Sequence, residues 1–294
     1  MTRSLNPSSH GLFEAHSRRF ETHRYVYPVL SRRSRGISIG VNLNLDKRCN
    51  FDCVYCQVDR AERNEGNENQ PLDVDRLAEE LDYAIGLVTS GRLFERPKFA
   101  DTPEPLRRLN DIALSGDGEP TSHGDFPKAV DICAEARRRS GMEDLRLVLI
   151  TNASQFGNDA VRRSLDVLDA NHGEIWAKLD AGTEACYRRV NRSAVPFQRI
   201  LDNLAEAARK RPITIQTLFT RIDGNLPSDN ELTAYGDRLR EIVAAGGLIK
   251  NVQIHTVARR PAESSVTALS NREIDAIGDR VRRGTGLVVE TFYA

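Results

Sequence analysis

Between Ile37 and Thr291 the chain alternates short apolar runs with longer stretches in which apolar residues recur every three or four positions. The first pattern suits strands buried on both faces, and the second suits helices with one face on a core. Ile37 to Leu45 (ISIGVNLNL) predicts a first strand, and Val74 to Val88 a helix with Leu77, Leu81, Ile85 and Val88 on one side. Asp111 to Leu114 predicts a short strand, Phe126 to Arg139 a helix, and Leu145 to Ile150 (LRLVLI) a buried strand. Helix Asp159 to Leu168, strand Glu174 to Leu179, helix Arg199 to Lys210 and strand Ile213 to Phe219 continue the series. Asn230 to Ala245 follows Ser228-Asp229, suitable chemistry for a helix start. Strand Val252 to Val257, helix Asn271 to Arg283 after Ser270, and a last strand Leu287 to Thr291 complete it.

Strand–helix units in such succession predict an α/β fold of parallel strands joined by right-handed crossovers, in an open sheet or a partial barrel. Either arrangement gathers the loops that follow the strands at one end, where ligands bind. Residues 1–36 read as an N-terminal arm and 37–294 as the main domain. The arm, the Pro-rich connector Arg96 to Pro105 and the polar tract Glu65 to Gln70 stand outside the alternation. Arm and connector either cover the mouth of the sheet or pack against its side.

With 39% hydrophobic and 29% charged residues, the 294-residue chain has the composition of a protein with a real core. Lys+Arg and Asp+Glu both number 42, so the formal net charge is zero and gives no support for nucleic acid as a partner. Arg108, Arg137, Arg138, Arg139, Arg162 and Arg163 read as solvated helix faces. No apolar run approaches the roughly 18 residues of a membrane span, and the first 35 residues lack an apolar signal core. A cytoplasmic location is therefore expected, with the five cysteines as thiols or metal ligands. No heptad or apolar stripe announces an oligomer.

Three of those cysteines lie within eight residues, in Arg48-Cys49-Asn50-Phe51-Asp52-Cys53-Val54-Tyr55-Cys56, directly after the first strand. Thiolates at this spacing can hold three corners of an iron–sulfur cubane. Such clusters usually take four cysteines, so one iron is left open to another ligand. A zinc site is the competing reading; it would need a fourth Cys or His, and the nearest following histidine is His123. Cys133 and Cys186 fall singly on helices and read as small buried hydrophobes.

Further polar elements follow the later strands. Ser115-Gly116-Asp117-Gly118-Glu119-Pro120-Thr121 is a Gly-rich turn whose backbone can approach a ligand closely. Asn152 closes the next strand, placed either to bond a ribose or carboxylate or to cap the turn. Lys178 sits in an apolar strand and needs a partner, either Asp180, Glu174 or a bound carboxylate. Gln216 and His255 are polar residues within apolar strands, either satisfied core groups or ligand contacts.

The Cys-x-x-x-Cys-x-aromatic-Cys loop after the first strand resembles that of the radical S-adenosylmethionine superfamily. That resemblance implies a partial (βα)6 barrel and a [4Fe-4S] cluster on Cys49, Cys53 and Cys56. It also implies reductive cleavage of S-adenosylmethionine to a 5′-deoxyadenosyl radical, with an external electron donor such as flavodoxin or ferredoxin. By the same resemblance Tyr55 lies against adenine. Gly116, Gly118 and Glu119 hold the methionine end, with Lys178 or Asp180 helping, and Asn152, Gln216 and His255 are further cofactor contacts. Gly118-Glu119-Pro120-Thr121, Lys178-Leu179-Asp180-Ala181 with Asn191-Arg192, and Val252 to Arg259 look like the subgroup related to wybutosine-synthesis enzymes and, more loosely, to glycyl-radical-enzyme activases. Wybutosine enzymes carry extra cysteines before the main motif, and none precedes Cys49 in this sequence, which argues against pyruvate-condensing chemistry. The substrate, whether an RNA base, a protein or a small molecule, is left open. A non-catalytic metal or redox sensor and an activase stand as alternatives.

Overall fold

Each expected apolar run forms a strand of one curled sheet. In the computed structural model, which describes residues 18, 20–58 and 70–294, the strands are β1 (Val26–Ser31), β2 (Gly36–Val41), β3 (Leu109–Leu114), β4 (Arg146–Thr151), β5 (Gly173–Lys178), β6 (Ile213–Leu218), β7 (Arg221–Ile222), β8 (Ile249–His255), β9 (Val266–Thr267) and β10 (Val289–Phe292). The helices are α1 (Val74–Thr89), α2 (Phe126–Ser140), α3 (Asp159–Ala170), α4 (Glu184–Asn191), α5 (Phe197–Lys210), α6 (Asp229–Ala244) and α7 (Asn271–Thr285). The sheet runs β1-β2-β3-β4-β5-β6-β8-β10, parallel throughout except for β1, while β7 and β9 pair separately. This is the partial barrel that the resemblance implies, one of the two arrangements the alternation allowed. Residues 1–17 and 19 of the arm, and all of the polar tract except Gln70, lie outside the described residues.

The helices cover the convex face. Leu77 and Leu81 of α1 are fully buried, each contributing about 1.5–3 kcal/mol by leaving water. Their starts carry the expected chemistry: Ser228 accepts from Glu231 N at 3.2 Å, and Ser270 forms a reciprocal capping box with Glu273. No helix among the described residues is long and apolar enough to cross a membrane.

Several expectations are corrected. Residues 26–31, assigned to the arm, form β1, which pairs antiparallel with β2 from Val26↔Val41 to Ser31↔Gly36. The first strand ends at Val41 rather than Leu45, because the Asn42 side chain accepts from the backbone of Asn44 and Asp117 and turns the chain out of the ladder. The connector packs through Phe99, which is 2% exposed. Arg137 does not lie on a solvated face: it donates to the carbonyls of Leu145 at 2.6 Å and Glu143 at 2.7 Å, tying the end of α2 to the start of β4. Cys133 is buried as expected, whereas Cys186 is only half-buried.

Curling brings the sheet's edges together. Arg35, in the turn between β1 and β2, pairs with Glu290 of β10 at 3.3 Å. On the concave side Ala113, Val148 and Trp176, with Ile150, form a small apolar patch apart from the main core. That patch floors the site.

Candidate active site

Parallel strands point all their C-terminal ends the same way, and the loops beyond them enclose a cavity of about 260 Å³. Cys49, Cys53 and Cys56 line it, as do Tyr55, Gly116, Gly118 and Glu119. Asn152, Lys178, Gln216 and His255 line it too. Of the cluster and cofactor residues expected from sequence, Asp180 alone is missing from the wall; it sits behind Tyr55, whose hydroxyl donates to it. His123 is not on the wall either, and its Nδ1 accepts from Asp125 N.

The cysteine loop is clamped from two sides. Asp52 N and Val54 N donate to the carbonyls of Asn191 and Val190 at 3.1 and 2.9 Å, at the C-terminal end of α4. On the other side Asn50 accepts from Asn152 Nδ2 at 2.9 Å and donates to Ser154 Oγ at 2.7 Å. The loop is therefore pinned next to Cys49 by the end of β4 and around Cys53 by α4. Cys53 is buried, while Cys49 and Cys56 are half-buried. Burial pushes the Cys53 thiol up to about 11, with Lys178 pulling the other way.

The glycines act inward. A Cβ on Gly118 would collide with the carbonyl oxygen of Arg48 and stand 2.7 Å from Asn44 Cγ. One on Gly116 would collide with the Asn42 side chain. The Gly-rich turn thus lies directly on the entry to the cysteine loop, a closeness that only glycine allows. Asp117 locks the pair, accepting from Asn42 Nδ2 at 2.8 Å and from Arg18. Glu119 is 3% exposed and accepts four bonds: Thr121 N at 3.2 Å, Thr121 Oγ1 at 2.5 Å, Thr151 Oγ1 at 2.6 Å and Asn152 N at 2.7 Å.

Lys178 takes neither carboxylate proposed for it. Asp180 is occupied by Tyr55, by Asn191 Nδ2 at 3.1 Å and by Leu218 N at 3.0 Å. Glu174 is held by Lys250 at 2.7 Å and Arg146 at 3.3 Å. Among the described residues Lys178 makes no ion pair, and its Nζ lies 5.9 Å from the centre of the Tyr55 ring. Gln216 donates to Gln253 at 3.1 Å, a cross-strand pair between β6 and β8. His255 has no hydrogen-bond partner for its Nδ1 among the described residues. Burial, then Arg33, Lys178 and Arg32, hold its pKa well below the usual histidine range.

The donor set fits an iron–sulfur cluster on chemistry: three soft thiols from one short loop share one wall with an unpaired cation and a tight glycine cradle. Among the described residues no three Cys, His, Asp or Glu side chains are already gathered as a metal cage. Cys49 Sγ meets Asn50 Oδ1 at 3.9 Å and Cys53 Sγ meets Asn191 Nδ2 at 3.5 Å, weak sulfur contacts that a stronger ligand bond displaces.

The sequence model of the Radical SAM superfamily matches residues 43–223, more than half of the chain and the span that carries the cysteine loop, the Gly-rich turn and the Lys178 strand. The chain belongs to this superfamily. Its members are enzymes that use a [4Fe-4S] cluster and S-adenosylmethionine and need an external one-electron donor. Among curated relatives, a UPF0026 protein of Methanocaldococcus jannaschii is 28% identical over 61% of this chain and 46% of its own length. A UPF0026 protein of Helicobacter pylori is 24% identical over 84% of this chain and 70% of its own. A Brachyspira hyodysenteriae protein named GTPase Obg is 23% identical over 87% of this chain, but only 33% of its own length. The chain thus spans a third to a half of the first two curated relatives' lengths. Among solved structures, TYW1 with a lysine-pyruvate adduct bound superposes with a TM-score of 0.50 at 17% identity, over 85% of this chain and 74% of that one. That similarity concerns the fold.

Sequence reasoning did not assign roles to Asn50, Asn191, Arg33 or Trp176. Asn50 and Asn191 act through bonds between distant segments, and Arg33 reaches the cavity only because the sheet curls.

Proposed function

We propose that Cys49, Cys53 and Cys56 hold a [4Fe-4S] cluster whose fourth iron site takes S-adenosylmethionine, and that the chain removes a hydrogen atom from a substrate bound over the concave patch. Bound there, the two cofactors supply one-electron cleavage of the sulfonium and the abstracting radical. The residues hold and exclude. Tyr55 and Lys178 form one side of the adenosylmethionine site, and the backbone around Gly116 and Gly118 forms another. Glu119 is a positioning residue: with four bonds accepted, it joins the Gly-rich turn to Asn152 and so to Asn50 beside Cys49. Asp180 holds Tyr55 in place. Gln216 and His255 lie deeper along the same wall. Flavodoxin or ferredoxin supplies the electron. The observation that carries this reading is the convergence of the cysteine loop, the Gly-rich turn and the unpaired Lys178 on one cavity at the sheet's C-terminal ends. The sensor alternative falls with membership of an enzyme superfamily.

The test is anaerobic reconstitution with iron and sulfide, followed by dithionite reduction in the presence of S-adenosylmethionine. Chromatography should find 5′-deoxyadenosine with the unaltered protein and none with Cys53→Ala, which should also lose the brown cluster colour. Zinc uptake without a cluster, or unchanged cleavage by the variant, would overturn the assignment.

A further inference from the structure

The cavity carries more positive charge than its cofactors use. The turn between β1 and β2 contributes Arg32 and Arg33, β5 contributes Lys178, and the segment after β8 contributes Arg259, with His255 beside them uncharged because its pKa is held well below the usual histidine range. The Arg33 guanidinium lies 5.7 Å from the centre of the Trp176 ring, over the concave apolar patch. Arg259 donates to Gln57 at 3.0 Å. Among the described residues Arg33, Lys178 and Arg259 make no ion pair.

Of the carboxylates on the same wall, Asp117 and Glu119 are fully bonded, while Asp111 keeps one oxygen without a hydrogen bond. Asp111 accepts from Ser38 and faces Arg146 at 3.8 Å. Asp117 takes Arg18 and Asn42, and Glu119 takes its four donors. The cations therefore feel one another. Burial and then Arg32 and Arg259 push Arg33 down to about 10, and burial and then Arg18 push Arg259 down to about 10. The two cofactors together do not relieve this: the three thiolates exceed the charge of the oxidised cluster core by one, and the sulfonium and ammonium of S-adenosylmethionine exceed its carboxylate by the same amount. Arg33 is offset only in part by Asp111, and Arg259 only in part by Tyr27 and Cys56, so the half-buried cavity favours a further anion.

We infer that Arg33 and Arg259, with Arg32, Lys178 and His255 around them, form a subsite for a phosphate group carried by the substrate. The inference rests on the radical reading and adds the substrate's chemical class. A phosphate suits the site better than a carboxylate for two reasons. Guanidinium forks bind its oxygens in pairs, and a dianion balances several cations where a single carboxylate leaves most of them unpaired. The zero net charge of the chain places this attraction inside the cavity rather than over a whole surface.

Isothermal titration calorimetry of the anaerobically reconstituted protein with inorganic phosphate tests it, with malonate as the carboxylate control. Saturable phosphate binding is expected, tighter than malonate and weakened by about tenfold or more in Arg33→Gln and in Arg259→Gln. Arg33→Lys keeps the charge without the fork and should fall between. Circular dichroism confirms that each variant is folded. Affinity of Arg33→Gln for S-adenosylmethionine should stay within about twofold of the unaltered protein. Phosphate affinity unchanged in both glutamine variants, malonate the tighter ligand, or parallel loss of S-adenosylmethionine binding in Arg33→Gln would each overturn the subsite. Failure of the radical reading shows elsewhere, as absent 5′-deoxyadenosine in the unaltered protein.

Discussion

The phenol of Tyr55, next to Cys56 in the chain, donates its hydrogen to the carboxylate of Asp180 just beyond the end of β5. Both groups are buried, and Asn191 joins them by bonding Asp180 at 3.1 Å and Cys53 Sγ at 3.5 Å. The cysteine loop, the β5 end and α4 are thereby tied at one carboxylate. Burial and then the Asp180 charge hold the Tyr55 pKa well above the usual tyrosine range, so the phenol stays a donor. Tyr55→Phe removes that donor and leaves a buried carboxylate with two bonds. A loss of about 1–3 kcal/mol is expected, with the cluster still assembling. Thermal unfolding of the reconstituted variant checks this; an unchanged midpoint would show the bond to be energetically idle.

Gly118→Ala tests the contact between the Gly-rich turn and the cysteine loop. Its methyl would collide with the Arg48 carbonyl oxygen, a backbone atom one residue before Cys49 that has little room to yield. Overpacking of this kind costs about 1–3 kcal/mol. Because the strain falls on the loop itself, cluster yield on reconstitution should drop more than global stability. Iron content per chain, measured beside the melting curve, separates the two; full iron loading with an unaltered melt would refute the contact.

Glu119 separates positioning from binding. Glu119→Gln keeps the size but can no longer accept all four bonds, and its amide hydrogens face donors rather than acceptors. The expected cost is about 1–3 kcal/mol, and more for Glu119→Ala, which leaves four donors unpaired. A residue that only contacted ligand would leave the melting midpoint of the ligand-free protein untouched. A fall in that midpoint, together with weaker S-adenosylmethionine binding, is the result that supports positioning.

Much of this was legible beforehand, and the exceptions share a cause. The inner parallel strands, such as β4 and β6, are buried along most of their length, so they read as continuous apolar runs. β1 escaped because Pro28 lies in it and no helix separates it from β2; an edge strand tolerates both. α4 was legible only as a helix around Cys186, without bounds, because half of its eight residues are polar and Tyr187, Val190 and Asn191 alone are buried. The cysteine loop and Gly-rich turn carry residue types that ordinary packing does not require. Arg33 carries no such mark. Its place in the cavity depends on the curl that brings Arg35 to Glu290, a relationship between positions that no local window contains.

Glu80 gives the clearest dependence on pH away from the site. Burial alone would raise its pKa, yet bonds from Arg24 N at 2.6 Å, Arg76 Nε at 2.9 Å, Tyr25 N at 2.8 Å and Val26 N at 3.1 Å outweigh it and hold the value below the ordinary 4.5. These bonds tie α1 to the start of β1. A carboxyl whose folded pKa is depressed stabilises fully above its unfolded value, and that contribution is lost as pH falls through the folded value. Glu80→Gln turns amide hydrogens toward backbone donors and should cost about 1–3 kcal/mol at neutral pH. The gap in melting midpoint between the unaltered protein and the variant should therefore hold from neutral pH down to about 4.5 and narrow below it. A gap that stays constant through that acid range would mean that the carboxylate charge contributes nothing and that shape alone holds the joint.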